Sequence, residues 1–194
     1  MSLNAWTNDE GGTLEGLATY LNALTHDERI AALFTLNRAQ QRALYALASS
    51  AAPLTLDDFA SDGPTEHLGW NSLPVPAPLR RFSKVFTRGE SGALFGFNEG
   101  LTRKVIGPGY FVAVPTAGNE AWEERGSVVI DYYQVPSDAA PEGWPTICSN
   151  DVGLQRFVYR HTRDFMRRIS DHVTIGAAYK GEKSLGHFFI LIRQ

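Results

Sequence analysis

The stretch TIGAAYKGEKSLGHFFILIRQ, residues 174–194, decides between a nucleotide site and a β-hairpin. A phosphate-binding loop needs Gly-x4-Gly-Lys-Ser/Thr, because backbone amides surround the phosphates and the lysine follows the second glycine directly. Here Glu182 stands between Gly181 and Lys183, so a negative charge occupies the place where phosphate charge must be neutralised. Such a loop must also open a helix, whereas the aromatic and branched run GHFFILIR follows. The stretch therefore predicts no nucleotide site.

A β-hairpin whose arms are joined through the Glu-Lys pair at 182–183 fits these residues better. In that register Ile175 lies opposite Ile190, and Phe189 lies across from Gly176, which has no side chain. A slip of one residue would mix apolar and polar faces, so the pattern specifies the pairing. One face then has the apolar residues Val173, Ile175, Ala177, Tyr179, Phe188, Ile190 and Ile192.

The other face of this hairpin contains two histidines, His172 and His187. His172 lies opposite Arg193, six residues beyond His187. At ~3.4 Å per residue the two rings are about 20 Å apart, which is too far to share one ion. We predict no metal site and no cofactor.

The bulk properties indicate a globular chain with enough apolar material for a core. Its 194 residues suit one ordinary domain, and 43% of them are hydrophobic. The net charge of −3 argues against nucleic acid or an anionic membrane as partner. Cys148 is the only cysteine, so neither an internal disulfide nor a cysteine-based zinc site is expected. No secretory leader and no apolar run of spanning length occur, so we predict a soluble, cytoplasmic protein.

The first 50 residues have a helical pattern. Leucines recur at three and four residues after Thr13, which is placed as an N-cap. Thr25 begins a second helix and forms a capping box with Glu28, and Asn37 with Gln40 caps a third. These helices are interpreted as structural.

Residues 51–81 are rich in proline and glycine and are predicted to be a connector pinned by Trp70. A short helix near Leu56–Phe59 is expected within it. From Phe82 onward, short aromatic and branched segments separated by turn residues predict an antiparallel meander. These predicted strands are 82–87, 92–98, 101–106, 110–115 and 127–135.

A long amphipathic helix is predicted over 151–169, before the hairpin. At 100° per residue, His161 and Phe165 fall on an apolar stripe. Arg156, Arg160, Arg163 and Arg167 fall on the opposite side, which we interpret as a solvated face. His161 is interpreted as a core histidine with one hydrogen-bond partner.

Three residues are candidates for catalysis: Cys148, Asp131 and His187. Cys148 precedes the predicted helix, and helix N-termini lower the pKa of a thiol. Asp131 belongs to VVIDYYQV, 128–135, where alternation groups it with Val129 and Tyr133. If that side is internal, Asp131 is a buried acid that needs a donor; if external, it is an ordinary surface charge.

The candidate ligand-binding residues are Asn98, Tyr110, Asp131 and Tyr133, at one end of the predicted sheet. The fold class is α+β: N-terminal helices cover an antiparallel sheet of about seven strands that can curl into a partial barrel. We divide the chain into helices at 1–50, the connector at 51–81 and the β domain at 82–194, together forming one unit.

An aromatic-rich sheet of this kind can enclose an apolar pocket. The expected function is therefore non-catalytic binding of a small apolar or aromatic molecule, or of a protein partner. The alternatives are acyl transfer or hydrolysis by Cys148, or by Asp131 with a histidine, and a structural role in an assembly.

Overall fold

Eight antiparallel strands close into a barrel in the computed structural model, which describes residues 3–7, 11–60 and 62–194. Each strand pairs with its neighbours in sequence, and the first strand pairs with the last. Closure of this kind removes the unpaired edges of a sheet. The strands are β1 Thr65–Asn71, β2 Arg81–Arg88, β3 Leu94–Glu99, β4 Phe111–Pro115, β5 Val128–Asp131, β6 Thr162–Arg168, β7 Val173–Lys180 and β8 Lys183–Arg193.

The predicted α+β class and antiparallel sheet are confirmed, and the sheet is fully closed. The prediction of a strand at 101–106 is wrong, because that segment contains a short helix, Arg103–Ile106. Two strands were missed, β1 in the proline-rich connector and β6 in the predicted long helix.

The helix predicted over 151–169 is wrong. Only Gln155–Val158 is helical, and His161, with a left-handed φ of 58°, lies in the turn between this helix and β6. The side chains of β6 alternate between the two faces of the sheet. Asp164 and Met166 point into the barrel, whereas Arg163 and Arg167 point outward. His161 is exposed and not in the core.

The arginines of β6 also differ from the predicted solvated face. The Arg163 guanidinium lies 4.7 Å from the centroid of the Trp122 ring, and that of Arg167 lies 4.2 Å from the Tyr45 ring. A planar guanidinium stacks well on aromatic rings. Arg163 and Arg167, four residues apart, therefore lie on the outer face of a strand that aromatic side chains cover, and not on the solvated face of a helix.

The N-terminal helices are confirmed together with their caps. Thr13 accepts a hydrogen bond from the Gly16 amide, and the Thr25–Glu28 capping box is formed. Leu17 and Leu21 pack with the outward apolar side chains of β7 and β8. The helices are α1 Asn4–Thr7, α2 Leu14–Ala23, α3 His26–Leu33, α4 Arg38–Leu47, α5 Ala77–Arg80, α6 Arg103–Ile106, α7 Glu120–Glu123 and α8 Gln155–Val158, with 3-10 turns at Ala48–Ser50 and Leu56–Asp58. In the described ranges no helix has the length and apolarity to cross a membrane.

The C-terminal hairpin has the predicted register along most of its length. Ile175 pairs with Ile190 and Gly176 with Phe189. The register shifts after Ala178, so the turn consists of residues 181–182 rather than 182–183. A bulge absorbs the difference on β8. The predicted apolar face contacts the helices, and the other face points into the barrel.

Trp70 pins the connector as predicted, but from within a strand. Its indole nitrogen donates to the Leu36 carbonyl at 3.1 Å, and its ring stacks on Phe34 with centroids 5.5 Å apart. The 3-10 turn Leu56–Asp58 matches the expected short helix. The segment 51–81 therefore supplies one strand, β1, to the barrel wall.

The pH dependence of stability is expected to include a contribution from His67, which is 1% exposed inside the barrel. Burial lowers its pKa from the ordinary 6.5 to about 4, against a hydrogen bond to the Phe59 carbonyl at 2.8 Å. Between pH 6.5 and pH 4 the unfolded chain takes up a proton that the folded state does not. The free energy of unfolding should therefore fall by roughly 3 kcal/mol over that window.

Urea unfolding at pH 7.5, 5.5 and 4.5 measures this loss. His67→Gln keeps a donor for the Phe59 carbonyl and does not titrate, so its stability should fall less steeply with acid. Equal slopes for the two proteins would contradict the assignment.

Position 176 is expected to require glycine because its neighbours leave no room for a Cβ atom. A Cβ there would lie 2.2 Å from Cζ of Phe189 and 2.8 Å from Sδ of Met166. Gly176→Ala should therefore destabilise the protein by about 1–3 kcal/mol through overpacking. Chemical denaturation checks this, and the cost should shrink in a Phe189→Leu background. An undiminished cost there would show that the clash is elsewhere.

Candidate functional site at the barrel mouth

A buried polar cluster lies inside the barrel and centres on Lys84. Its Nζ donates to Asn98 Oδ1 at 2.9 Å, to Asp164 Oδ2 at 3.2 Å and to the Tyr132 hydroxyl. An ammonium group has three donors, so all three are used. Lys84 and Asp164 have side chains that are 3% and 9% exposed. The cluster is therefore an ion pair held out of water by the barrel wall.

The alternation of the strands places these groups together. In β2, Lys84 lies between Phe82 and Phe86 on the inward face, and Asn98 in β3 is its direct cross-strand partner. On the other side, Asp164 in β6 pairs with Ile130, which shares the inward side of β5 with the following Tyr132. Cross-strand pairing thus brings residues distant in sequence to one level of the barrel.

Burial shifts the pKa values of the two charged partners in opposite directions. Loss of hydration lowers the pKa of Lys84, against the attraction of Asp164. Loss of hydration likewise raises the pKa of Asp164, against the attraction of Lys84. Burial also raises the pKa of Tyr132 well above 10, and the Asp164 charge adds to this. Tyr132 therefore remains a protonated donor in the neutral pH range.

One acceptor of the cluster is left over. Asp164 Oδ2 accepts from Lys84 and, at 3.3 Å, from the Tyr132 hydroxyl. For Oδ1 no donor occurs among the residues that the structure describes. Because Asp164 lines an open pocket, this oxygen can accept a hydrogen bond from a bound molecule.

The pocket above the cluster has a volume of about 340 Å³. Lys84, Asn98 and Asp164 form its floor. Tyr159 stacks on Tyr132 with ring centroids 5.1 Å apart and continues the wall. The other apolar wall residues include Leu73, Leu79, Phe82, Ile106, Val158, Leu185 and Phe189. The site is a largely apolar chamber with a few convergent polar groups at its base, which is typical of ligand sites.

A wider cleft of about 440 Å³ lies between residues 48–54 and the β4–β5 connection. Its cations already have partners: Arg167 donates to the Tyr45 carbonyl at 2.7 Å, and Arg168 pairs with Asp58 at 2.7 Å. These two arginines are therefore already paired within the protein.

Of the predicted ligand-binding residues, the structure places Asn98 in the pocket floor. Tyr110 faces the outside of the barrel, where it contacts Phe97 and donates to the Pro145 carbonyl at 2.5 Å. Burial raises its pKa to about 12. Tyr110 is thus covered by the β5–β6 connection and is not a pocket residue.

Asp131 and Tyr133 also lie on the outer side of the barrel. Asp131 is 2% exposed and satisfied, since it pairs with Arg163 at 3.2 Å and accepts from the Tyr133 amide at 2.9 Å. Tyr133 is 43% exposed and stacks on His161. Both faces of β5 are buried, so Asp131 is neither an internal acid nor an ordinary surface charge. It is a buried acid with a donor, on the outer side of the barrel and outside the pocket.

The three predicted catalytic residues have different neighbours. Cys148 Sγ lies 3.2 Å from Gln155 Nε2, and no helix begins beside it, because α8 starts at Gln155 and has four residues. Cys148 therefore does not lie at a helix N-terminus as predicted. His187 lines the pocket, where Arg38 donates to its Nδ1 at 3.1 Å. Burial lowers the pKa of His187, and the Arg38 charge adds to this.

No hydrogen bond or ion pair among the described residues joins any two of Cys148, Asp131 and His187. Within the same ranges, no three His, Cys, Asp or Glu side chains converge as metal ligands.

Sequence reasoning missed Lys84, Tyr132 and Asp164. A signal was present for Lys84, because FSKVF at 82–86 places a lysine between two aromatic residues on one face of a strand. Asp164 had no such signal once its segment was interpreted as a helix.

Comparison with family models finds no match to this chain, and comparisons with curated proteins and with solved structures find none either. The proposal for function therefore depends on the geometry of the barrel mouth.

The Lys84–Asp164 pair is expected to be strongly coupled. Lys84→Met leaves a buried carboxylate without its partner and should cost about 3–5 kcal/mol, whereas Lys84→Met with Asp164→Leu should cost less than the single change. Chemical denaturation of both variants and of Asp164→Leu completes the cycle. The exposed Arg88–Asp57 pair is the control, where Arg88→Met should cost under about 1 kcal/mol. Additive costs at Lys84 and Asp164 would contradict the coupling.

Proposed function

We propose that the barrel binds a small, mostly apolar or aromatic molecule that has one hydrogen-bond donor. The observation that supports this most directly is Asp164 Oδ1, which has no donor among the described residues and lies at the floor of a chamber with aromatic walls. A volume of about 340 Å³ is at the small end of ligand pockets.

The walls favour an aromatic ring. Phe82, Phe189 and the stacked pair Tyr132–Tyr159 present ring faces and edges to the chamber. Their burial by a ligand is favoured by roughly 25 cal/mol per Å² of apolar surface removed from water. Aromatic pairs add specific offset and edge-to-face contacts.

The floor favours a neutral donor over a charged group. Lys84 and Asp164 neutralise each other, so an added unpaired charge would be buried in the chamber without a counterion. A hydroxyl or amide N–H directed at Asp164 Oδ1 would make a charge-assisted hydrogen bond. A carboxylate would instead meet the free oxygen of Asp164 and be repelled.

The enzyme alternative has less support, because Cys148 and Asp131 lie outside the pocket and only His187 lines it. Binding without chemistry requires only the floor and walls described above.

Two probes of similar shape test the role of the donor. 2-Naphthol presents a hydroxyl donor, and 2-methoxynaphthalene lacks it. A hydrogen bond to a charged group contributes about 1.5–3 kcal/mol, so 2-naphthol should bind about 10- to 150-fold more tightly by isothermal titration calorimetry. Asp164→Leu should remove this preference.

A blocking variant tests the location. Ala178 points into the chamber, so Ala178→Phe should abolish binding of both probes, while Ala139→Phe at an exposed loop position should not. Unchanged binding to Ala178→Phe, or no binding of either probe to the unsubstituted protein, would overturn the proposal.

A further inference from the structure

Exposed apolar side chains are concentrated at one end of the barrel. In this topology the β1–β2, β3–β4, β5–β6 and β7–β8 connections all meet at the same end, where the pocket opens. Among the described residues, the exposed large apolar side chains belong to these connections or to the bulge of β8 beside them. We call six of them the collar: Leu79, Leu101, Val105, Phe157, Val158 and Leu185.

The side chains of the collar are largely exposed to solvent. Leu101 is 74% exposed, Val105 71% and Phe157 68%. By contrast, the two apolar core clusters are buried under the N-terminal helices and within the barrel. Exposed apolar side chains gathered at one end of a barrel indicate an interaction site.

The loops that present the collar are fixed to each other. The Gly109 amide donates to Gln155 Oε1 at 3.2 Å, and a Cβ at Gly107 would lie 2.5 Å from the same oxygen. The β3–β4 connection thus packs on the segment before β6. Leu101 and Phe157 therefore belong to a joined rim around the mouth.

Local charge at the rim differs from the net charge of −3. Two acids there are neutralised, Glu99 by Arg103 at 2.7 Å and Asp151 by Arg160 at 2.9 Å. Lys104 and Arg156 are exposed beside Val105 and Phe157, and no carboxylate of the described residues pairs with either. The rim thus combines exposed apolar side chains with unneutralised cations.

We propose that the collar docks on the surface of a bilayer that contains anionic lipids. The apolar side chains would enter the boundary between headgroups and acyl chains, and Lys104 and Arg156 would face the lipid phosphates. The expectation of no membrane partner came from the net charge, which does not show how charged side chains are distributed over the surface. Docking would place the pocket mouth against the apolar layer, so that an apolar molecule reaches the chamber without crossing water.

Vesicle flotation tests the proposal with two compositions, phosphatidylcholine alone and phosphatidylcholine with one-fifth phosphatidylglycerol. The protein should float with the anionic vesicles, and added salt should weaken this. Val105→Asp with Phe157→Asp should reduce vesicle binding about tenfold or more, because two charged side chains would replace apolar ones that enter the bilayer. Both positions are exposed, so the variant should still fold. Ala139→Asp, which adds charge at an exposed position next to Asp138 and the β2–β3 turn, should bind as before.

A second pair of variants separates the two contributions. Lys104→Glu with Arg156→Glu should lower the preference for anionic over neutral vesicles while leaving the collar intact.

No flotation with anionic vesicles, or flotation that the Val105 and Phe157 changes leave unaltered, would overturn the proposal. Sedimentation velocity gives the competing outcome: a dimer that Val105→Asp with Phe157→Asp dissolves would assign the collar to a second copy of the chain. The naphthol measurements are independent, so loss of ligand binding and loss of vesicle binding can be told apart.

Discussion

Closure of the barrel depends on the pairing of β1 with β8, in which Trp70 lies beside Ile190 and Gly69 beside Leu191. This pairing gives every strand two neighbours and divides all strand side chains between an interior and an exterior. Since β7 and β8 are apolar on both faces, closure also requires a cover on the outside. The N-terminal helices supply that cover, so helices and barrel stabilise each other.

The closed interior determines the chemistry of the site. Water is excluded from the wall around Lys84, so each of its donors needs a partner within the protein, and Asn98, Tyr132 and Asp164 provide them. Buried pairs of this kind contribute little net stability but are costly to break. The same pair forms the polar floor of the pocket. The same closure gathers four connections at one end, where the exposed collar surrounds the mouth.

Local patterns were predicted well where the deciding interactions are local. Thr25 with Glu28 forms its capping box within one helical turn, and Ile175 finds Ile190 across a short turn. β6 was mistaken for a helix because its arginines recur at spacings that suit a helix too, and its cover, the rings of Trp122 and Tyr45, comes from elsewhere in the chain. Asn98, Tyr110 and Asp131 were all predicted to bind a ligand, but of these three only Asn98 lines the pocket. The reason is that alternation shows which residues share a face of a strand but not which face points into the barrel.

The sequence by itself determined the capped helices, the C-terminal hairpin and the absence of a phosphate loop, because each depends on residues within about one hairpin of each other. Tertiary structure alone decided that the sheet closes, that Lys84 meets Asp164 across 80 positions, and that the mouth has an apolar rim. The physical reason is that strand pairing between distant segments fixes both the partner of a buried charge and the direction in which each face points. Neither the partner of a buried charge nor the direction of a face can be read from a single stretch of the chain.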